Sequence, residues 1–281
     1  MGQRMRAAIK ARLAAELTAL SGRCYDAYEP TGTTAKPFAT VNLAGLARGA
    51  DWLGLRHQYD VSLYGAKDEA AALDELAGRA VKALNGIRLS PGGGGAAFTC
   101  RFDGMPEPAR LDTTLDAIEY RLVFEVSAVG AEAVTLSEDC LNALCDWSAL
   151  VAGPDWTVYR QHWPQDYASP AILWRLEQAE ASSRGAAGTD LSQKTVGHVV
   201  GRTEAEQISM VRSLTAALGG SVRIQVEPVA NQYAAVGPVA ATYTADALTV
   251  GQLNVALRQI VPVAQSAGPT IAQVHYEGGT G

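Results

Sequence analysis

Leu55, His57, Tyr59, Val61 and Leu63 alternate with Arg56, Gln58, Asp60 and Ser62, the period of two expected of a strand with one dry face. Gly65 breaks the alternation. From Asp68 the apolar positions fall three and four apart, through Leu73, Leu76, Ala77, Ala80, Val81 and Leu84, which predicts an amphipathic helix. Asp68 and Glu69 suit the positive end of its dipole, and Asn85-Gly86 supplies a left-handed stop. The same grammar returns about 134 positions later. A strand is predicted over 196–200, Gly201 answers Gly65, and Thr203-Glu204-Ala205-Glu206 opens a helix through Ile208, Val211, Leu214 and Leu218 that ends at Gly219-Gly220.

The neighbours of these elements repeat as well. Met5, Ile9, Leu13, Leu17 and Leu20 predict an opening helix over 4–20. Strands follow over 23–28 and 38–43, separated by a loop with Pro30, Gly32 and Lys36-Pro37. After the second helix come 87–89, the glycine run 92–95, a strand over 97–102 and a long strand in which Ile118, Tyr120, Leu122, Phe124 and Val126 oppose Glu119, Arg121 and Glu125. Residues 127–134 read as a small-residue linker, and Thr135-Leu136-Ser137-Glu138 as the capping box of a new helix carrying Cys140, Leu141, Leu144 and Trp147. Tyr159, Pro164 and Pro170-Ala171-Ile172 then mirror Tyr25, Pro30 and Pro37-Phe38-Ala39; residues 182–193 stand in the place of the loop around Trp52; 222–226 match 98–102; and 248–261 match the closing strand. His57 and His198 fall in equivalent places on this alignment. The expected fold is therefore α+β: two tandem copies of an α-β-β-β-α-β-β unit, mainly antiparallel sheet against two helices, with domains over 1–131 and 132–281 and a Gly-rich tail after Pro262.

A chain of 281 residues suits two domains. A net charge of −6, with the second half the more acidic, argues against a protein that grips duplex nucleic acid, which needs a basic stripe to displace counterions. No apolar run approaches a membrane span, and the opening Met-Gly-Gln-Arg-Met-Arg has no apolar h-region, so neither membrane nor secretory signal is expected. The basic cluster Arg4, Arg6, Lys10 and Arg12 reads as a solvated helix face.

Candidate chemistry is sparse. Cys24, Cys100, Cys140 and Cys145 form no Cys-x-x-Cys pair, and His57, His162, His198 and His275 form no metal-ligand spacing. The four glycines lack the Gly-Lys-Ser/Thr of a P-loop and the spacing of a dinucleotide turn, and no Gly-x-Ser-x-Gly elbow occurs. Glu177 and Glu180 fall at a strand-to-loop transition and make no acid/base pair. No cofactor, metal or catalytic residue is expected. Candidate interface residues are Arg48, Asp51 and Trp52 in the loop over 45–54, where the Trp either meets a partner or folds onto the core, and Trp163 and Tyr167 flanking Pro164, which either fill the core of the second copy or, where exposed, meet a neck or tube subunit.

The opening helix, the Tyr25-to-Pro30 strand and loop, Pro37-Phe38-Ala39-Thr40-Val41, Tyr59-Asp60-Val61-Ser62-Leu63-Tyr64-Gly65 running into an Ala-rich helix ending Leu84-Asn85-Gly86, and a long last strand resemble the tail terminator, or tail-completion, family of long-tailed bacteriophages over residues 4–130. The resemblance implies a non-enzymatic virion protein of the tail or neck, made in the bacterial host cytoplasm. It would form a ring that caps the head-proximal end of the tail tube, stops tube growth and offers a surface to head-completion or neck proteins. The duplication leaves six chains, or three chains as a pseudo-sixfold ring, with DNA passing through the lumen without specific binding. The alternative is a head-to-tail connector or minor capsid adaptor; a cytosolic enzyme with a noncanonical site is the third possibility.

Overall fold

Two antiparallel sheets, each with a parallel edge strand, are built in the same strand order. The structure, a computed structural model, describes residues 2–48, 53, 55–92, 96–129, 139–185, 188–227 and 231–261. The first unit runs α1 (Gly2–Glu16), a 3-10 turn, β1 (Cys24–Asp26), β2 (Phe38–Arg48), β3 (Leu55–Gly65), α2 (Ala70–Leu84), β4 (Arg88–Leu89), β5 (Phe98–Gly104), β6 (Arg110–Asp112) and β7 (Ala117–Val129). The second runs α3 (Asp139–Ala152), β8 (Thr157–Arg160), β9 (Ala171–Ser183), β10 (Thr189–Val200), α4 (Glu204–Gly220), β11 (Arg223–Glu227), β12 (Gln232–Ala241) and β13 (Leu253–Val261). The sheet orders are β1-β2-β3-β7-β5-β4, with β6 added to β7, and β8-β9-β10-β13-β12-β11. β1 pairs β2 and β8 pairs β9 in parallel. The expected α+β tandem is thus present.

Register carries the equivalence further than strand order. With Pro37 laid on Pro170 and Gly65 on Gly201, the pairs Phe38↔Tyr64 and Val41↔Val61 coincide with Ala171↔Val200 and Trp174↔Gly197. Tyr25↔Thr40 coincides with Tyr159↔Leu173, and Val61↔Leu122 with Gly197↔Leu253. Both prolines follow cis peptide bonds.

Each sheet buries one face under two helices. Met5, Ile9, Leu13, Leu17 and Leu20 from the first helical segment and Leu73, Leu76, Ala77, Ala80 and Leu84 from α2 meet Tyr59, Val61, Leu63, Leu122, Phe124 and Val126 in one core. These are the apolar stripes of the sequence, and burial of such a stripe is what holds a short helix to a sheet. The second core joins Leu141, Leu144, Val211, Leu214 and Leu218 to Ile172, Trp174, Val255 and Leu257. Thr203 caps α4, its hydroxyl accepting from the Glu206 N–H at 3.2 Å, as the capping pattern predicts. The basic cluster of α1 is tied down locally: Lys10 pairs with Asp26 at 3.2 Å and Arg12 with Glu16 at 2.9 Å.

Several expectations are corrected. β11 is the counterpart of β4, not of β5, because Arg223↔Ala235 occupies the register of Arg88↔Thr99; β12 takes the β5 place. Two-residue β4 is too short to show a period. His57 and His198 are not equivalent: His198 takes the place of Ser62 and Gln193 that of His57, so the two rings lie on opposite faces. Residues 182–193 are mostly strand. They are the outer arms of the β9–β10 hairpin, exposed along β9 and half-buried through 189–192 on β10, and largely polar, so there is no apolar period to read. Glu177 and Glu180 lie within β9, and β6 had no signal. Residues 127–129, expected to begin the linker, are the end of β7; the rest of the linker, the α3 capping box, the centre of the glycine run and the tail beyond 261 lie outside the described residues. Among the described residues no helix is long and apolar enough to cross a membrane.

Candidate functional site

The loop between β8 and β9 leaves the second unit and lies against the first. The Thr99 N–H at the start of β5 donates to the Gln165 carbonyl at 3.1 Å, and the Thr99 hydroxyl to the Tyr167 carbonyl at 2.8 Å. Gln165 Nε2 donates back to the Ala97 carbonyl at 3.2 Å. Two ion pairs frame the contact, Arg88 with Asp166 and Arg101 with Asp246. The receiving surface is the end of the first sheet where β5 diverges from β7, so the loop satisfies backbone groups left by the ladder.

The loop is stiff because its aromatic residues are locked. Trp163 is 0% exposed and Tyr167 4%. Their ring centroids are 5.1 Å apart, and Tyr159 meets Trp163 edge-on at 5.7 Å. Leu53 from the first unit completes this cluster with Leu173 and Leu248. Trp163 and Tyr167, expected as contacts for another subunit, are therefore buried within this chain and brace the seam. Arg48 ends β2 opposite Leu55; Asp51 and Trp52 lie outside the described residues.

Asp246 holds the far side of the seam. One carboxylate oxygen accepts from the Leu248 N–H at 3.0 Å, the Thr249 N–H at 2.7 Å and the Thr249 hydroxyl at 2.7 Å, and the other takes Arg101. Burial alone would raise this carboxyl; the Thr249 and Arg101 hydrogen bonds outweigh it and hold the group below its ordinary value. Beside it a cleft of about 640 Å³ opens between the units, bordered by Arg101, Tyr167, Arg202, Tyr243 and Asp246.

The second unit has a related sheet end, uncovered among the described residues, in which Ala235 stands in the place of Thr99 and pairs with Arg258 on β13. Val236 N–H donates to the Val222 carbonyl at 3.1 Å, the counterpart of Cys100 N–H to Ile87 at 3.4 Å. Val222, Arg223, Tyr233, Ala235 and Arg258 border an open hollow of about 440 Å³. Likewise the first unit's loop over 27–36, counterpart of the docked loop, stands free, with Tyr28 79% exposed. A turn organises both loops, Thr34 N–H to the Thr31 carbonyl in one and Tyr167 N–H to the Pro164 carbonyl in the other.

On the face away from its helices the first sheet carries paired charges: Arg56 with Glu125 at 3.0 Å, Arg121 with Asp60 at 2.6 Å and Arg110 with Glu119 at 2.7 Å. The cysteines are packing groups. Burial pushes the Cys100 and Cys145 thiols up to about 12, far from the thiolate that nucleophilic or metal chemistry needs. Of the residues at the seam, Trp163 and Tyr167 stood out in the sequence by type; Thr99, Gln165, Arg88, Asp166, Arg101 and Asp246 had no signal, because their partners lie in the other unit.

No protein-family model matches the chain, and no curated protein does. Among solved structures, the chain is similar to one from a structure described as the virion of a native gene transfer agent (GTA) particle, at 25% identity and a TM-score of 0.36, over 43% of this chain and 92% of that one.

Proposed function

We propose that this chain is a structural subunit of a phage-like virion, acting as a tail terminator: a ring on the head-proximal end of the tail tube that stops tube growth and receives the head or neck. The observation that carries this reading is the seam. Two register-matched units are joined through two different surfaces, a receiving sheet end on one and a protruding loop on the other, which is heterologous contact, the kind that propagates around a ring. The resemblance of residues 4–130 to tail terminators agrees with it. The division into domains over 1–131 and 132–281 follows the same reading.

Such a ring works by occupying strand ends and loops that the next tube ring would otherwise use, so its task is binding without turnover. Each copy carries a charge of −6, which suits a lumen through which DNA slides without being held. The test is direct. Light scattering on the purified chain is expected to give a closed multi-chain particle that co-sediments with polymerised tube protein, and a phage lacking the gene is expected to grow tails of unregulated length. Intact tails without heads would instead assign the chain to the head-to-tail connection, and a single-chain species that ignores the tube would overturn the ring.

A further inference from the structure

We infer that the seam inside the chain is the template for the contact between chains: the hollow beside β11 and β12 receives the loop over 27–36 of a second copy. This rests on the ring-forming reading above and names the surfaces through which it is built.

Each unit owns a receiving sheet end and a protruding loop. The internal seam uses the receiving end of the first unit and the loop of the second, so one of each is left over, on opposite units. A head-to-tail contact that leaves its two complementary halves free propagates until the rotation closes.

The free hollow keeps the basic edge of the occupied one but not its hydrogen-bond donors, since Ala235 stands in the place of Thr99 and pairs with Arg258 in the ladder. Arg223 stands where Arg88 stands, opposite Ala235 as Arg88 is opposite Thr99. Arg88 pairs with the acidic Asp166 of the incoming loop; the free loop offers Glu29, whose carboxylate now only accepts from the Asp26 N–H at 2.6 Å. The charges are of the same sign at both places, though by the shared turn Thr33 stands in the place of Asp166 and Glu29 lies four positions before it. Apolar groups match too. Val222 is 81% exposed at the hollow and Tyr28 79% exposed on the loop, and a large aromatic beside an uncovered aliphatic is the usual composition of an interface centre. Arg223 already stacks on Tyr233, its guanidinium carbon 4.2 Å from the ring centroid, which leaves its outer N–H groups directed by a fixed side chain.

Repeating the internal contact puts both units of every chain in one tier.

The experiment uses the full chain and two variants. The edge variant is Val222→Asp with Arg223→Glu; the loop variant is Tyr28→Asp with Glu29→Gln. All four side chains are solvent-facing or part-exposed, so far-UV circular dichroism and the melting temperature are expected to match the native chain. Analytical ultracentrifugation should show the native chain as a closed assembly and each variant alone as a single 29.5 kDa chain. A mixture of the two variants should give a one-to-one dimer and nothing larger, because one good edge meets one good loop and the remaining pair is defective on both sides. Should either variant be misfolded by circular dichroism, Val222→Ser and Tyr28→Ser replace it and at least a tenfold loss of assembly affinity is read instead. A native chain that assembles while the variants assemble equally well, or variants that fail to pair when mixed, overturns these surfaces and leaves the ring standing. A native chain that stays single at every concentration and on tube polymer overturns the ring itself.

Discussion

Trp174 and Gly197 are cross-strand partners in the second sheet, and the indole fills the space a side chain on Gly197 would need. A Cβ built there would lie 2.6 Å from Trp174 Cζ3 and 3.0 Å from Leu253 Cβ. In the first sheet the same pair is Val41 and Val61, so the two copies solve one packing problem with two volume distributions. The indole N–H donates to Ser148 Oγ at 2.8 Å, and that hydroxyl donates to the Leu144 carbonyl at 2.7 Å, which pins the ring to α3.

Gly197→Ala is therefore expected to destabilise the chain by about 2 kcal/mol, an overpacking cost. Trp174→Val is expected to cost about 3 kcal/mol as a large-to-small change. The double variant Gly197→Val with Trp174→Val restores the first unit's arrangement, so its cost should fall well below the sum of the singles. Urea denaturation of all forms, read as a double-mutant cycle, checks the coupling.

How much of this was legible depends on whether the signal is local. The stripe of Met5, Ile9, Leu13 and Leu17 and the alternation through Tyr59, Val61 and Leu63 are written within a few residues, and the structure buries those side chains. The repeat was legible for the same reason, since Tyr25, Pro37 and Gly65 recur with their neighbours. The outer arms of β9 and β10 were not, because they are largely polar, exposed on β9 and half-buried on β10, and carry no apolar period. Nor was the seam. Thr99 and Gln165, Arg88 and Asp166, Arg101 and Asp246 meet only after both units have folded, and no short window contains both partners. Trp163 and Tyr167 stood out by type, but which side of them is covered is decided by Leu53 and Leu248, far away in the chain.

The seam should respond to loss of Asp246 more than to loss of Arg101. Asp246→Ala removes the acceptor of Leu248 N–H, Thr249 N–H and the Thr249 hydroxyl as well as the Arg101 pair, and is expected to cost about 2 kcal/mol. Arg101→Ala leaves the turn intact and is expected to cost under about 1 kcal/mol, since the pair is partly solvated. Hydrogen exchange is the sharper measurement: Asp246→Ala should raise exchange at 247–250 and at Thr99 together, whereas a purely local effect would spare Thr99.

Gly78 lies inside α2 with nothing within 4 Å of a Cβ built on it. Here the glycine does no packing, so Gly78→Ala should stabilise by about 0.5–1 kcal/mol through helix propensity. An increased melting temperature with unchanged assembly mass is the expected result, and it provides a contrast to Gly197 measured in the same assay.

His198 sets an acid limit on stability. Arg175 Nε donates to its Nε2 at 3.0 Å, and the ring's Nδ1 lies 2.8 Å from the Ala247 carbonyl, which assigns the proton to Nδ1 and leaves Nε2 as acceptor. Burial chiefly, with the Arg175 charge adding to it and the Ala247 carbonyl and Asp246 opposing it, depresses the group to about 4. An unfolded His titrates near its ordinary value of about 6.5. Between those two values the unfolded chain holds a proton that the folded chain refuses, so stability is complete above the upper value and is lost as pH falls toward the lower one. The slope within that window is at most about 1.4 kcal/mol per pH unit for one group. His57 is also depressed, by burial first, and acts in the same sense, so the contribution of His198 is isolated by difference. His198→Gln keeps a neutral polar side chain beside Arg175 and does not titrate. Denaturation midpoints measured from pH 7.5 to 4.5 should fall more steeply for the native chain than for His198→Gln, and parallel profiles would mean that His198 titrates alike in the folded and unfolded chain.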